Sequence, residues 1–154
     1  MDKVYFSQTL IKKELLKGSY VLILENEEVC DIRVGDLGVL KFDRGFYAYI
    51  GSMFGSGGLE ARIRRYFFGG RKHWHIDYIL EHMKIVNVFV LPEKDYESLV
   101  ANVAVKRFNY VKGFGCSDKK NDISHLLYFR EKGELRTFIE LIKSIGFNIF
   151  KLKI

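Results

Sequence analysis

Three short apolar segments constrain the fold of this chain more than any other feature of its sequence. Tyr20–Leu24 is apolar throughout, Gly45–Ile50 is rich in aromatic residues and closes at Gly51, and Ile85–Leu91 is stopped by Pro92. Short segments of valine, isoleucine and aromatic residues between turn signals are typical of buried strands. We therefore predict a strand at each of the three segments.

Helical patterns occupy much of the remaining sequence. Leu59, Ile63, Tyr66 and Phe67 recur at i, i+4, i+7 and i+8, which predicts a helix that begins near Leu59 and ends at Gly69-Gly70. Three further helices are predicted over His73–Met83, Glu93–Arg107 and Gly133–Ser144. The expected buried residues of the last two are Tyr96, Leu99, Val100 and Val103, and Leu135, Phe138, Ile139 and Ile142, with Gly146 as the final cap.

The remaining segments complete a mixed architecture. Val29–Phe42 is predicted to form strand pieces with a turn, His125–Phe129 a strand, and the tail Phe147–Ile154 an edge strand. Strands and helices mix without a strict strand–helix–strand alternation, which indicates the α+β class, a small and mainly antiparallel sheet flanked by helices. We expect one domain over residues 1–154, with residues 131–154 as a C-terminal helix–strand extension.

Composition and cysteine count exclude several classes of protein. No stretch approaches the roughly 20 apolar residues that cross a bilayer, and Met1–Lys17 contains no apolar core of a secretory signal. Cys30 and Cys116 are too few for a disulfide framework, so we expect a cytoplasmic protein without membrane association. The formal net charge of +6 is compatible with nucleic acid as a partner but does not by itself indicate one.

Most of that charge lies in one segment, Glu60–His75. Aromatic residues alternate there with cations, a composition suited to a phosphate backbone with unstacked bases. The alternative is a solvated helix face whose aromatic side chains belong to the core, and that interpretation is favoured for Tyr66 and Phe67. The cations are Arg62, Arg64, Arg65, Arg71 and Lys72, and the other aromatic residues are Phe68 and Trp74.

Three further groups of residues have weaker chemical interpretations. The glycine loop Gly51–Gly58 follows a strand and opens a helix, where free N–H groups can hold phosphate, but a tight turn is the favoured interpretation. His73, His75 and Asp77 contain metal-ligand types, yet two histidines two residues apart on a helix do not face each other, so phosphate contacts or a structural role are favoured over zinc. Nothing visible activates Cys116 as a nucleophile.

A family resemblance rests on short motifs in a fixed order. Gly18-Ser19-Tyr20 and Tyr49-Ile50-Gly51 resemble the two halves of the signature of the GIY-YIG endonuclease superfamily, and Arg62 lies where that superfamily carries its catalytic arginine. The resemblance is closest to the Uri-type branch and covers residues 18–130. It extends through Val34-Gly35-Asp36-Leu37-Gly38, His73-Trp74-His75-Ile76-Asp77-Tyr78, Gly113-Phe114-Gly115-Cys116-Ser117-Asp118 and Ser124-His125-Leu126.

The resemblance implies metal-dependent hydrolysis of phosphodiester bonds in DNA, with Mg²⁺ or Mn²⁺ as cofactor. Tyr20 and Tyr49 would assist the attack of water, Arg62 would stabilise the phosphate, and Glu97 would hold the metal, with Glu93 as the alternate. The expected nucleic-acid contacts are Arg64, Arg65, Arg71, Lys72, His73 and His75, and the supporting residues are Gly51, Ser52, Asp77, Asp118 and His125.

The sequence departs from the family pattern at three places. Ser19 replaces the isoleucine of the first triplet, Tyr66 stands where relatives often have histidine, and the motif tyrosines Tyr20 and Tyr49 are 29 residues apart, which implies an insertion between their strands. Two alternative functions remain open: an inactive module that binds nucleic acid, and a nuclease that acts on structured RNA. The preferred DNA, which could be branched, and the oligomeric state are left open.

Overall fold

The computed structural model describes residues 17–52, 58–92, 94–145 and 150–152, and it confirms the α+β class. An antiparallel sheet forms the centre, and a small hairpin and helices surround it. The strands are β1 (Gly18–Asn26), β2 (Cys30–Arg33), β3 (Val39–Phe42), β4 (Gly45–Ser52), β5 (Lys84–Pro92), β6 (Asn109–Tyr110), β7 (Leu126–Phe129) and β8 (Phe150–Leu152). The helices are α1 (Gly58–Phe68), α2 (His75–Ile79), α3 (Glu97–Ala104) and α4 (Lys132–Ile145), and Gly35–Leu37 forms a 3₁₀ turn.

β1 is the central strand of the main sheet. Within the described residues, the strand order is β6-β7-β4-β1-β5-β8, and each neighbouring pair is antiparallel. β1 pairs with β4 in a register that sets Tyr20 opposite Gly51 and Leu22 opposite Tyr49. The two motif triplets are therefore neighbours in space, although the hairpin of β2 and β3 separates them along the chain.

Alternation along the central strands creates two apolar cores, one on each face of the sheet. Tyr20, Leu22 and Tyr49 face α1 and α2. Val21 and Ile50 face α3 and α4, whose predicted apolar residues Leu135, Phe138 and Ile142 are buried there. The central sheet is consequently covered on both sides, which explains why nearly every residue of β1 is buried.

Two predicted helices are shorter in the structure than in the sequence pattern. α2 spans only His75–Ile79, because Asp77 accepts hydrogen bonds from the N–H groups of His73 and Trp74 and so begins the helix after them. The prediction of a helix from Glu93 to Arg107 was wrong at both ends. α3 begins at Glu97, whose N–H donates to the Asp95 carboxylate, and it ends at Ala104.

The predicted buried stripe of α3 was right at Val100 and wrong at Leu99. Leu99 is half exposed, and the buried face carries Glu97, Val100, Ala101 and Ala104, at i, i+3, i+4 and i+7. Glu97 thus lies on the buried face of α3, at a position where an apolar residue would be expected. A carboxylate in that position needs polar partners.

The end of the chain agrees with the prediction where it is described. Residues 150–152 form β8, which pairs with β5 at the edge of the sheet. The predicted β7 is one residue shorter, since it begins at Leu126. Gly146, Glu93 and most of the glycine loop after β4 lie outside the described residues. None of the helices that the structure describes has the length and apolar character needed to cross a membrane.

Candidate active site

Three tyrosines from three elements converge on the α1 side of the sheet. The ring of Tyr20, on β1, lies 6.4 Å from that of Tyr49 on β4 and 6.1 Å from that of Tyr66 on α1, measured between centroids. The hydroxyls of Tyr20 and Tyr66 share a hydrogen bond. Tyr20 is fully buried, whereas Tyr49 and Tyr66 retain a small exposed fraction. We call these three residues the tyrosine cluster.

Gly51 makes room for the tyrosine cluster. It pairs with Tyr20 across β1 and β4, and the Tyr20 ring crosses directly over it. A Cβ atom at this position would lie 2.3 Å from both Cζ and the hydroxyl oxygen of Tyr20, far inside van der Waals contact. The glycine of the second motif triplet is therefore required by the position of the Tyr20 phenol.

We expect Gly51→Ala to lower the free energy of unfolding by about 1–3 kcal/mol, the usual cost of overpacking a close-packed core. The added methyl group must displace the Tyr20 ring, because β1 and β4 are both paired with neighbours and cannot separate. Urea denaturation measures the change. Gly133→Ala, at a helical position with no atoms near the added Cβ, is the matched control and is expected not to destabilise the protein. Equal stability of Gly51→Ala and wild type would contradict this packing.

Arg62 brings a permanent positive charge to the tyrosine cluster. It lies one helical turn before Tyr66 on α1 and is half-buried, and its positive charge acts on the phenols of Tyr20 and Tyr66. Its charge also acts on Tyr49.

The phenols of the tyrosine cluster are held in their neutral form. Burial is the largest cause and raises the pKa of Tyr20 and Tyr49 well above 10, and it raises the pKa of Tyr66 as well. The Arg62 guanidinium opposes this by favouring the phenolate form of each. At neutral pH the cluster therefore offers O–H groups next to the positive charge of Arg62.

Glu97 approaches the same cluster from the other side of the sheet. Its negative charge raises the pKa of Tyr49, after the larger effects of burial and of Tyr66. Its side chain is only 10% exposed, and Oε1 lies 3.1 Å from Nδ1 of His125, although the direction is poor for a hydrogen bond. His125 immediately precedes β7, at the point where the sheet ends beside Tyr49.

A second carboxylate holds the other nitrogen of His125. Nε2 lies 2.7 Å from Oδ2 of Asp122. Ser98 and Asn102, both on the same helix as Glu97, donate hydrogen bonds to Asp122 at 2.6 Å and 3.1 Å. Asp122 and His125 thus link the loop before β7 to the beginning of α3, and they help to fix where Glu97 lies.

The two carboxylates determine the charge of His125. Burial opposes protonation, but Glu97 and Asp122 together outweigh it and raise the pKa of His125 above 6.5. Burial likewise raises the pKa of Asp122, while hydrogen bonds from Ser98 and His125 lower it more. The folded protein therefore favours an imidazolium between two carboxylates.

This arrangement predicts a loss of stability with rising pH. A group whose folded pKa is raised contributes its full stabilisation below its unfolded pKa, near 6.5, and loses it as pH rises through the folded value. We expect the free energy of unfolding in a chelator to fall between pH 6.5 and 9, below the range in which tyrosines ionise. Urea titrations at several pH values measure it, and His125→Gln should remove most of the slope. An unchanged slope in that variant would contradict the assignment.

The described residues suit a metal that relies on one protein carboxylate. They contain no group of three or more histidine, cysteine or acidic side chains arranged to hold a metal ion. Glu97 offers a carboxylate close to Tyr49, and Mg²⁺ commonly binds through one or two carboxylates together with water and substrate phosphates. Glu97 fits this way of binding a metal ion. Asp77 does not add a second ligand, because its carboxylate already accepts hydrogen bonds from Arg65, His73 and Trp74.

His75 lies outside the tyrosine cluster, behind Phe114. Its ring is 5.5 Å from that of Phe114, whose ring is in turn 6.2 Å from that of Tyr49. Nδ1 accepts the N–H of Gly115 at 2.8 Å, so Nε2 carries the proton and donates to Asp36 at 3.1 Å. That hydrogen bond lowers the pKa of Asp36. His75 is therefore a connection between two loops.

The other predicted binding residues form an exposed surface beside the cluster. Arg65 pairs with Asp77, and Lys72 pairs with Glu81 at 2.9 Å. Arg64, Arg71 and His73 are exposed, as is Asp118, and Ser52 is partly buried at the end of β4. Cys116 is buried, and burial raises the pKa of its thiol, so it is poorly suited to act as a nucleophile.

Sequence reasoning missed two members of the site. Asp122 stands in a loop, where no periodic pattern relates it to His125. Tyr66 was assigned mainly to the apolar face of α1, although it occupies the position where relatives often have histidine. The Tyr66 ring is buried, as expected for the apolar face of α1, and its hydroxyl also bonds to Tyr20 in the candidate site.

Comparison with known proteins gives one match. A family described as a domain of unknown function, DUF123, matches residues 19–146, which is most of the chain. No curated protein and no solved structure matches significantly.

Proposed function

This chain belongs to the DUF123 family, and we propose that it is a metal-dependent DNA endonuclease of the GIY-YIG type. The observation that carries the proposal is the meeting of three kinds of group, from four elements of the fold, at one place. Neutral phenols, a half-buried arginine and a buried carboxylate come from β1, β4, α1 and α3 and lie around Tyr49. These are the groups that water activation, phosphate stabilisation and metal binding require.

The exposures of the tyrosines distinguish their roles. Tyr49 retains some exposure and senses the charge of both Glu97 and Arg62, so it is the phenol that contacts the attacking water. Tyr20 is fully buried and bonded to Tyr66, so it acts as a positioning residue that holds Arg62 and Tyr66 in place. Tyr66 bonds to Tyr20 through its hydroxyl and also acts on Tyr49, so it connects the positioning residue to the phenol that contacts water.

The proposed reaction is the hydrolysis of one phosphodiester bond. The oxygen of a water molecule, oriented by the Tyr49 hydroxyl, forms a bond to phosphorus while the bond to the departing sugar oxygen breaks, and the water's proton is finally carried by that departing oxygen. Arg62 stabilises the negative charge that grows on the phosphate. Glu97 would hold Mg²⁺ or Mn²⁺, which supplies further charge neutralisation when bound. One such centre cuts one strand.

A cleavage assay with several substrates tests the proposal. Supercoiled plasmid, branched DNA and structured RNA are incubated with the protein in Mg²⁺ or in a chelator. We expect nicked plasmid and cut branched DNA in Mg²⁺ only. Cleavage restricted to RNA would replace DNA by RNA as the substrate. DNA binding without cleavage in either Mg²⁺ or Mn²⁺ would favour the inactive binding module.

A further inference from the structure

Two exposed aromatic side chains flank the turn that follows α1. Phe68, the last residue of α1, is 65% exposed, and Trp74, which precedes α2, is 46% exposed. Both fractions are high for residues that normally stabilise a core. The turn between them contains Gly69 and Gly70 in left-handed conformations with open space around them.

The surface around these rings is positively charged. Arg71, Lys72 and His73 lie between Phe68 and Trp74 along the chain, and all three side chains are exposed. Lys72 forms an ion pair with Glu81, and its Nζ also lies 5.3 Å from the centre of the Tyr78 ring. A phosphate backbone can therefore approach this segment without meeting uncompensated negative charge from it.

A cleft connects this surface to the tyrosine cluster. It has a volume of about 260 Å³, and Phe68, Arg71 and Lys72 line one end of it. Tyr66 also lines the cleft, and the same residue bonds to Tyr20 in the cluster. The exposed Phe68 ring and the cations thus border the same cleft as Tyr66, and Trp74 follows them closely along the chain.

We propose that Phe68 and Trp74 form a stacking platform for unpaired bases of a DNA strand whose backbone contacts Arg71 and Lys72. Aromatic rings interleaved with cations bind single strands because every base has a face for stacking, whereas bases in a duplex are already stacked. The inference rests on the proposed nuclease function for its ligand, and it deepens that function by naming DNA with an unpaired strand as the substrate class.

Fluorescence tests the platform directly, because Trp74 is the only tryptophan in the chain. Oligo(dT), duplex DNA of equal length and oligo(U) are titrated into the protein in a chelator, so that no strand is cut. We expect oligo(dT) to quench the Trp74 emission and to bind more tightly than the duplex. Quenching by oligo(dT) together with absent cleavage in Mg²⁺ would overturn the nuclease proposal alone, which keeps the two failures distinguishable.

Variants separate stacking from charge. Trp74→Leu and Phe68→Leu, measured by the anisotropy of labelled oligo(dT), are each expected to weaken binding by about 5- to 150-fold, since a stacked base contributes about 1–3 kcal/mol. Trp74→Phe should bind nearly as wild type does, and Tyr110→Leu, an exposed aromatic on β6, should have no effect. Arg71→Ala should reduce the dependence of log K on log salt by about 0.7.

Three results would overturn the platform. The first is a Trp74 emission that does not change at saturating oligo(dT), and the second is equal affinity for single-stranded and duplex DNA. The third is wild-type affinity in both Trp74→Leu and Phe68→Leu. The two substitutions lie in different parts of the fold, so one local folding defect would not affect both. Tighter binding of oligo(U) than of oligo(dT) would overturn the choice of DNA and assign the platform to RNA.

Discussion

An Arg62→Ala variant is expected to nick DNA about 10²- to 10³-fold more slowly than wild type in Mg²⁺, with most of the loss in kcat. Removal of one group that stabilises transition-state charge commonly costs this much. Arg62 is half-buried beside the phenols of Tyr20 and Tyr66, so its charge is in place before the phosphate arrives. Single-turnover cleavage of a labelled DNA strand measures the rate.

Two control variants make this result specific to Arg62. Arg136→Ala removes an exposed arginine from α4, on the opposite side of the sheet, and should nick at the wild-type rate. Arg62→Lys keeps the charge but not the planar fork of N–H donors that matches a phosphate, so it should recover only part of the activity. Full activity in Arg62→Ala, with its fold intact by circular dichroism, would remove Arg62 from the mechanism.

A Tyr49→Phe variant is expected to lose about 10²-fold in cleavage rate, the usual cost of misplacing a reacting group, because the attacking water loses the hydroxyl that orients it. The substitution removes one oxygen and keeps the ring that packs at 6.2 Å from Phe114, so the fold should be retained. Tyr20→Phe should lose less, because its buried hydroxyl acts through Arg62 and Tyr66. Single-turnover rates at saturating DNA compare the two.

The matched control for Tyr49 lies two residues earlier on the same strand. Tyr47 faces the same core, and its hydroxyl donates to the carbonyl of Asp43 at 2.8 Å, away from Arg62 and Glu97. Tyr47→Phe should therefore cut DNA at the wild-type rate. Equal losses in Tyr47→Phe and Tyr49→Phe would indicate a general packing defect and not a role in catalysis.

The strands could be predicted from the sequence because their signal is local. Apolar segments between turn residues located β1, β4 and β5 to within two residues at each end. The limits of α2 and α3 were missed, since they depend on single hydrogen bonds: Asp77 accepts the N–H of Trp74, and Asp95 accepts the N–H of Glu97. Helical periodicity does not record such bonds.

The site could be predicted only in part, because its members meet across the sheet. The family resemblance pointed to Tyr20, Tyr49, Arg62 and Glu97, and strand pairing brings the two tyrosines together. Tertiary packing alone places Glu97 on the buried face of α3 and joins His125 to Asp122. Neither position follows from spacing along the chain.

If Glu97 and the tyrosine cluster form one metal-dependent centre, a metal ion must bind at the Glu97 carboxylate. Crystallography with Mn²⁺ shows directly where the ion binds. Crystals of the slow Arg62→Ala variant with a bound DNA strand hold substrate and metal together, and anomalous scattering locates the ion. We predict a Mn²⁺ peak at the Glu97 carboxylate, between it and a phosphate near Tyr49. A peak at His73 and His75, with none at Glu97, would contradict the account.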